Sequence, residues 1–323
     1  MTVRILHGDC RDVLKTMPDE SVHCVVTSPP YFGLRDYGVA GQIGLEPTPD
    51  AFVAEMVAVF REVRRVLRKD GVCWLNLGDS YCGGNTGNQS NVGQRYGKDG
   101  EGHVFRRDGK YASSIGLKPK DLIGIPWRVA FALQADGWWL RQEIIWAKPN
   151  PMPESVTDRC TKSHEQIFLL TKAATYWYDA EAVAEPFADE RQGNPGSYKR
   201  TTSASKGACN DRQDLGFLNN GDGWNADGGK ATRNRRSVWT VPSSPFSEAH
   251  FATFPPALIE PCIKAGCPAG GMVLDPFGGA GTTGLVADRL GRNAILIELN
   301  PEYAAMAERR IKGDAGLFAE VAA

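Results

Sequence analysis

Two short stretches carry residue types able to do chemistry. The first is Thr27-Ser28-Pro29-Pro30-Tyr31. Two successive prolines forbid both helix and ladder pairing, so the chain runs through this point as a stiff extended turn. The turn offers the Ser28 hydroxyl, a Pro29 carbonyl with no N–H on the following residue to compete for it, and the Tyr31 ring. Such a group suits a flat, hydrogen-bonding, stackable partner such as a nucleobase. Taken alone it reads equally as an ordinary Pro-Pro turn closed by a buried tyrosine. The second stretch is Asp275-Pro276-Phe277-Gly278-Gly279-Ala280-Gly281-Thr282-Thr283-Gly284, with Glu298 lying 23 residues after Asp275. Its glycines let the backbone pass close to a ligand, and the acid is placed to bind ribose hydroxyls. The run fits a dinucleotide fingerprint only if counted from Gly279. The acidic Asp275 just ahead would repel a pyrophosphate and suits a ligand with a free amino group, such as S-adenosylmethionine.

The flanking pattern supplies elements to position both stretches. Val22 to Val26 is a β-branched apolar run that reads as a buried strand feeding Ser28. Val3–Leu6 is a strand followed by a helix from Arg11 to Met17. Pro49-Asp50 opens an amphipathic helix with Phe52, Met56, Val59, Phe60, Val63, Val66 and Leu67 at helical spacing, stopped by Lys69-Asp70-Gly71. Residues 72–79 form a strand, 121–135 a helix and 138–148 a strand. Residues 164–178 read as a hairpin turning at Thr171-Lys172-Ala173. A helix over 257–265, a strand over 272–275, a helix to Leu290, a strand over 294–298 and a helix over 302–311 close the chain. Alternating strands and helices imply a mostly parallel sheet with helices on its faces.

Regularity fails twice. Residues 81–120 hold nine glycines, with seven Lys/Arg between Arg95 and Lys120 against three acids. This tract is expected to form a mobile basic loop. Residues 187–237 are again Gly/Asn/Ser-rich, with nine Lys/Arg from Arg191 to Arg236 against four acids. The plain reading of both tracts is disorder; the functional one is ordering on phosphates. The formal net charge of −1 does not exclude such a basic cleft, since steering depends on where charge lies. Eight cysteines without a C-x-x-C pair, and five histidines away from them, offer neither a metal site nor a disulfide framework, so a reducing cytoplasm is the expected location. No signal peptide or membrane-length apolar run is apparent in the sequence.

Asp-Pro-Phe-x-Gly-x-Gly-Thr together with Thr-Ser-Pro-Pro-Tyr resembles the amino-group DNA methyltransferases, which modify N4 of cytosine or N6 of adenine. The order, catalytic motif first and cofactor motif last, is similar to the permuted β group of that family. The resemblance covers nearly everything except the two basic tracts. It implies a circularly permuted, Rossmann-like S-adenosylmethionine-dependent fold. The catalytic and cofactor-binding domain would comprise residues 1–80, 121–186 and 238–323, and residues 187–237 would be the target-recognition region. Carried over residue by residue, Ser28, Pro29, Pro30 and Tyr31 are catalytic. Asp275, Phe277, Gly279, Gly281 and Thr282 form the cofactor loop, Glu298 is the ribose acid, and Asp9 lies near the cofactor's adenine. Asp9 also reads as a helix N-cap. His250 precedes Phe251 where the family often has His-Pro, so its match to the segment closing over the methionine moiety is the weaker one. Trp146-Ala147-Lys148-Pro149-Asn150 resembles a segment beside the active site.

The resemblance implies that Ser28 Oγ and the Pro29 carbonyl accept hydrogen bonds from the amino group, and that Tyr31 stacks on a base flipped out of double-stranded DNA. Arg106, Arg107, Lys199, Arg200, Arg233, Arg235 and Arg236 are the candidate DNA contacts. C5 methylation needs a cysteine nucleophile, and Pro261-Cys262 lies in an expected helix without a partner motif. Action on RNA or protein, and a catalytically idle DNA-binding module, stay open at this point. So do the choice of base, a homodimer and a companion restriction nuclease.

Overall fold

The computed structural model describes residues 1–34, 36–82, 116–186, 232–243, 254–314 and 320–322. Two compact units emerge, Met1–Asp179 with Ser237–Ala323, and Ala180–Arg236. In the larger unit the chain runs β1 (Thr2–His7), α1 (Cys10–Thr16), β2 (Val22–Thr27), α2 (Pro49–Val66), β3 (Leu67–Leu77), α3 (Ile125–Ala135), β4 (Trp139–Ala147) and β5 (His164–Thr171). The smaller unit holds β6 (Glu185–Pro186) and β7 (Thr232–Arg233), which pair antiparallel. The larger unit resumes with β8 (Val238–Thr240), α4 (Pro256–Gly266), β9 (Met272–Asp275), α5 (Thr282–Arg289), β10 (Asn293–Glu298), α6 (Pro301–Asp314) and β11 (Glu320–Ala322).

Nine strands form one sheet in the order β11-β1-β10-β9-β2-β3-β5-β4-β8. All neighbouring pairs are parallel except those that β5 makes with β3 and β4. Counted from β9, the five central parallel strands take the doubly wound order 3-2-1-4-5. The unit that starts that order, β9-α5-β10, comes late in this chain, so the fold is Rossmann-like and permuted. From β9 the chain proceeds toward β10, whereas from β2 it proceeds toward β3. The crevice beyond the C-terminal ends of β9 and β2 is thus the topological switch point, where open α/β sheets bind ligands. Cys24 and Val25 of β2 sit in register with Val273 and Leu274 of β9, which brings both motif turns to one edge.

The central strands are buried on both faces, as parallel sheets require; Cys24, Val25, Leu75, Val273, Leu274 and Leu296 are inaccessible. The helix α2 starts at Thr48, whose side chain accepts from Ala51 N, with Pro49 in its first turn. Its stripe of Phe52, Met56, Val59, Phe60, Val63 and Val66 is inaccessible to solvent. Burial of each such side chain stabilises by ~1.5–3 kcal/mol.

Three expectations need correction. The segment 164–178 holds one strand, β5 (His164–Thr171), which pairs with β3 on one side and β4 on the other. The chain turns away at Thr171, whose hydroxyl bonds to Ala173 O, and Trp177 N then bonds to Asp70 O. The helix expected from Asp121 begins at Ile125, because Gly124 adopts a left-handed conformation (φ 78°) and Asp79 accepts from the N–H groups of Gly124 and Ile125. Lys69-Asp70-Gly71 does not end α2; the chain becomes extended at Leu67, and the three residues lie within β3. Among the described residues no helix is long and apolar enough to cross a membrane.

Candidate active site

The Gly-rich turn after β9 is held from three sides. Its Asp275 is 1% exposed and accepts the hydroxyl protons of Thr27 and Thr283, both at 2.6 Å, and the Phe277 N–H at 3.0 Å. Burial pushes its carboxyl up to about 7 against these bonds. Within the chain, Asp275 fastens the Gly-rich turn to the end of β2, next to Ser28, and to Thr283 of α5. Glu298 Oε2 accepts from Gly279 N at 2.7 Å and Oε1 from Asn300 N at 2.8 Å, and desolvation raises its pKa. Arg310 of α6 donates to Ala280 O (3.0 Å) and to Thr282 Oγ1 (2.9 Å), so the Thr282 hydroxyl faces a guanidinium. Gly281 caps α5 at φ 78°, and a Cβ there would stand 2.8 Å from that of Ala307.

These groups border an open cavity of about 1110 Å³, a volume that includes the solvent in its mouth, lined by Phe277, Gly279, Thr282 and Glu298 together with Asp9, Ser28 and Pro30. In the strand order Asp9 follows β1 and Ser28 follows β2, with the ends of β10 and β9 between them. Asp9 fulfils the N-cap reading, accepting from Arg11 N at 2.9 Å, while also lining the cavity. The Arg11 guanidinium beside it holds its carboxyl below the usual range. Arg11 also donates to Gly41 O at 2.7 Å, in the segment whose Tyr37, Val39 and Ile43 line the same cavity. The residues fit a nucleoside-bearing ligand: a Gly turn that leaves room at the backbone, an aromatic wall, and a carboxylate with lone pairs beyond those used by N–H groups.

Behind Ser28 lies a polar network. Ser28 Oγ donates to Tyr31 Oη at 3.3 Å, and Tyr31 Oη donates to Glu165 Oε2 at 2.6 Å. Asn76, 4% exposed in β3, donates to Glu165 Oε2 at 3.2 Å and to Gln166 O at 3.1 Å. Lys148 Nζ donates to Glu165 Oε1 at 2.5 Å and stands 4.1 Å from the Trp146 ring centroid. Tyr31 thus presents a fixed hydroxyl, and its ring packs against Gly78, where a Cβ would meet ring carbon at 2.4 Å. Burial, with the Glu165 carboxylate adding to it, raises the Tyr31 phenol well above its ordinary value.

Other expected residues fall elsewhere. His250, Arg106, Arg107, Lys199 and Arg200 lie outside the described residues, as do most of both basic tracts. Within the smaller unit, Arg236 Nε is 2.9 Å and Arg233 Nε 3.6 Å from Glu185 Oε2, so both are ion-paired, and Arg235 lies between them. Cys262 is 1% exposed inside α4, with Sγ 3.8 Å from Leu258 O, far from the role of a nucleophile. Asn76, Glu165, Arg11 and Arg310 were not expected as site residues. A polar side chain inside an apolar strand was the available signal for Asn76, whereas Glu165 stands at the polar start of β5 beside His164 and Gln166 and carried no such signal.

Residues 22–309 match the DNA methylase family N6_N4_Mtase. The chain is 46% identical over 319 residues to the Type II methyltransferase M.XycI of Xanthomonas campestris pv. cyanopsidis, covering 99% of this chain and 91% of that one. It is 44% identical over 309 residues to the Type II methyltransferase M.SmaI of Serratia marcescens, covering 95% and 90%. Its fold is similar to that of PvuII DNA methyltransferase (cytosine-N4-specific), with a TM-score of 0.60 at 19% identity over 96% of this chain and 87% of that one. The TTHA0409 protein of Thermus thermophilus, solved in complex with S-adenosyl-L-methionine, gives 0.57 at 24% identity over 99% and 100%. With both motif turns meeting at the switch point of a permuted sheet, and with this match over most of its length, the chain belongs to the N6/N4 DNA methylase family and is a DNA amino-methyltransferase.

Proposed function

We propose that the protein methylates the exocyclic amino group, N4 of cytosine or N6 of adenine, of a base flipped out of double-stranded DNA, with S-adenosylmethionine as donor. The observation that carries this reading is that Ser28 and Glu298 border one cavity, across the junction between β2 and β9. Glu298 would hold the ribose, Phe277 the adenine, and the Gly279–Thr282 turn the amino-acid end of the cofactor, with Asp9 at the rim. When bound, the cofactor supplies an electrophilic methyl group. An exocyclic amino group is a poor nucleophile because its lone pair is conjugated into the ring. Ser28 Oγ and the Pro29 carbonyl, accepting its two N–H groups, would favour a tetrahedral nitrogen and free the lone pair. Tyr31 would flank the base. Residues 187–237 would choose the target sequence, with 81–120 helping to grip phosphate. A homodimer, a companion restriction nuclease and a cytoplasmic location accord with this reading.

The test is nucleoside mass spectrometry on mixed-sequence duplex DNA incubated with the protein and S-adenosylmethionine. N4-methylcytosine or N6-methyladenine is the expected product and identifies the base. Cofactor binding with no methylated base in DNA would refute the substrate and turn attention to RNA.

A further inference from the structure

We infer that Glu165 is a positioning residue that sets the direction of the Ser28 hydroxyl, so that Ser28 Oγ meets the target amino group as an acceptor. The inference rests on the role proposed for Ser28. Each side-chain contact of Glu165 among the described residues is with a donor: Lys148 Nζ at 2.5 Å, Tyr31 Oη at 2.6 Å and Asn76 Nδ2 at 3.2 Å. A carboxylate held this way can only accept. Tyr31 has one proton, and the short bond to Glu165 commits it. Asn76 turns its amide nitrogen to Glu165 and Gln166 O, so its Oδ1, 3.2 Å from Tyr31 Oη, has no proton to give. The Tyr31 oxygen is left to accept from Ser28 Oγ, 3.3 Å away.

With its proton drawn back toward Tyr31, Ser28 keeps its lone pairs for the cavity that it lines. That polarity is what an amino substrate needs, since both of its hydrogens are donors. A serine free to rotate would spend part of its time with its own proton opposing the substrate's N–H. The high pKa of the Tyr31 phenol keeps the relay in its donating form at neutral pH. Lys148 anchors the far end, and its pairing with Glu165, at side-chain exposures of 19% and 15%, prevents the carboxylate from swinging to solvent.

The experiment compares Glu165→Gln, Tyr31→Phe and the double variant with wild type, reading kcat on duplex DNA and S-adenosylmethionine affinity separately. Glutamine keeps the shape, but Lys148 holds its carbonyl oxygen, so its amide nitrogen faces Tyr31 and the direction of the relay reverses. Glu165→Gln is expected to lower kcat about 100-fold, with cofactor affinity within about twofold of wild type. Phenylalanine cuts the relay, so in the Tyr31→Phe background Glu165→Gln should cost less than about threefold more. Wild-type kcat in Glu165→Gln, or losses that multiply in the double variant, overturn the inference. If Glu165→Gln loses cofactor binding, Glu165→Gln/Lys148→Met replaces it, because without the ammonium the amide can turn its oxygen to Tyr31. Turnover within about tenfold of wild type then supports the relay, and a larger loss overturns it. Wild type that methylates no DNA refutes the underlying reading; wild type that methylates alongside an unaffected Glu165→Gln refutes the relay alone.

Discussion

Ser28 gains its chemistry from neighbours that no local pattern reveals. The hydroxyl stands between the cavity and a chain of donors ending at Glu165, 137 residues later in sequence. Ser28→Ala removes an acceptor without touching Glu298, Phe277 or the Gly turn. Its expected effect is a fall in kcat of about 100-fold, with S-adenosylmethionine affinity unchanged. Single-turnover rates and isothermal titration check this, and equal loss of both would point to a folding defect. That Ser28, Pro30, Asp275, Phe277 and Glu298 belong to two motifs was legible from residue type and spacing, and the structure brings all five to one cavity. Glu165 and Asn76 were not, because their meaning arises only when β3 and β5 pair antiparallel, with Asn76 opposite Ile167 and Leu77 opposite Gln166. A polar residue in an apolar strand announces that something buries it, without saying what.

At the scale of elements, Asp275 joins the β9 turn to β2 through Thr27 and to α5 through Thr283. Its carboxyl, pushed up to about 7, titrates near neutrality. The sign follows from proton counts. Between the ordinary carboxylate range and about 7 the folded chain binds more protons at this site than the unfolded chain. This group therefore makes stability fall as pH rises through that window, by ~1.4 kcal/mol per pH unit, and the loss is complete above it. Asp275→Asn removes the titration, so its unfolding free energy should vary less between pH 4 and 7 than that of wild type, by ~1.4 kcal/mol per pH unit and a few kcal/mol in total. Urea melts across that range test it, and parallel wild-type and variant curves would refute it. Periodicity placed α2, β2 and β9 closely, since their apolar patterns are long or sharply bounded. The expected hairpin at 164–178 failed because two apolar runs beside a turn look alike whether they pair with each other or with distant strands.

Over the whole molecule, a formal charge of −1 coexists with two basic tracts. If these tracts grip phosphates, DNA affinity must fall steeply with salt despite the balanced total, at about 0.9 in log–log slope per phosphate contacted. Replacing Arg106, Arg107, Lys199 and Arg200 by alanine should lower that slope by about one per contact removed, while S-adenosylmethionine affinity holds. Fluorescence anisotropy of labelled duplex across a salt series measures it, and an unchanged slope would place the DNA contacts elsewhere. Arg236 is a weaker candidate than sequence suggests, because Glu185 already neutralises it in part.

The late position of β9 and β10 has a consequence for how the molecule is made. In the sheet these strands lie between β1 and β2, yet they follow both by more than 240 residues. A growing chain therefore holds an open gap in its sheet, with the β2 edge that leads to Ser28 unpaired on that side until β9 and β10 arrive. Pairing at such separation is slow, and bare apolar edges invite wrong partners meanwhile. The Thr27–Asp275 bond, spanning 248 residues, can form only after that insertion. Competence for methyl transfer then waits on the synthesis of β9 and β10: chains truncated before β9, though they retain Tyr31, Asn76 and Glu165, are expected to be inert and prone to aggregate.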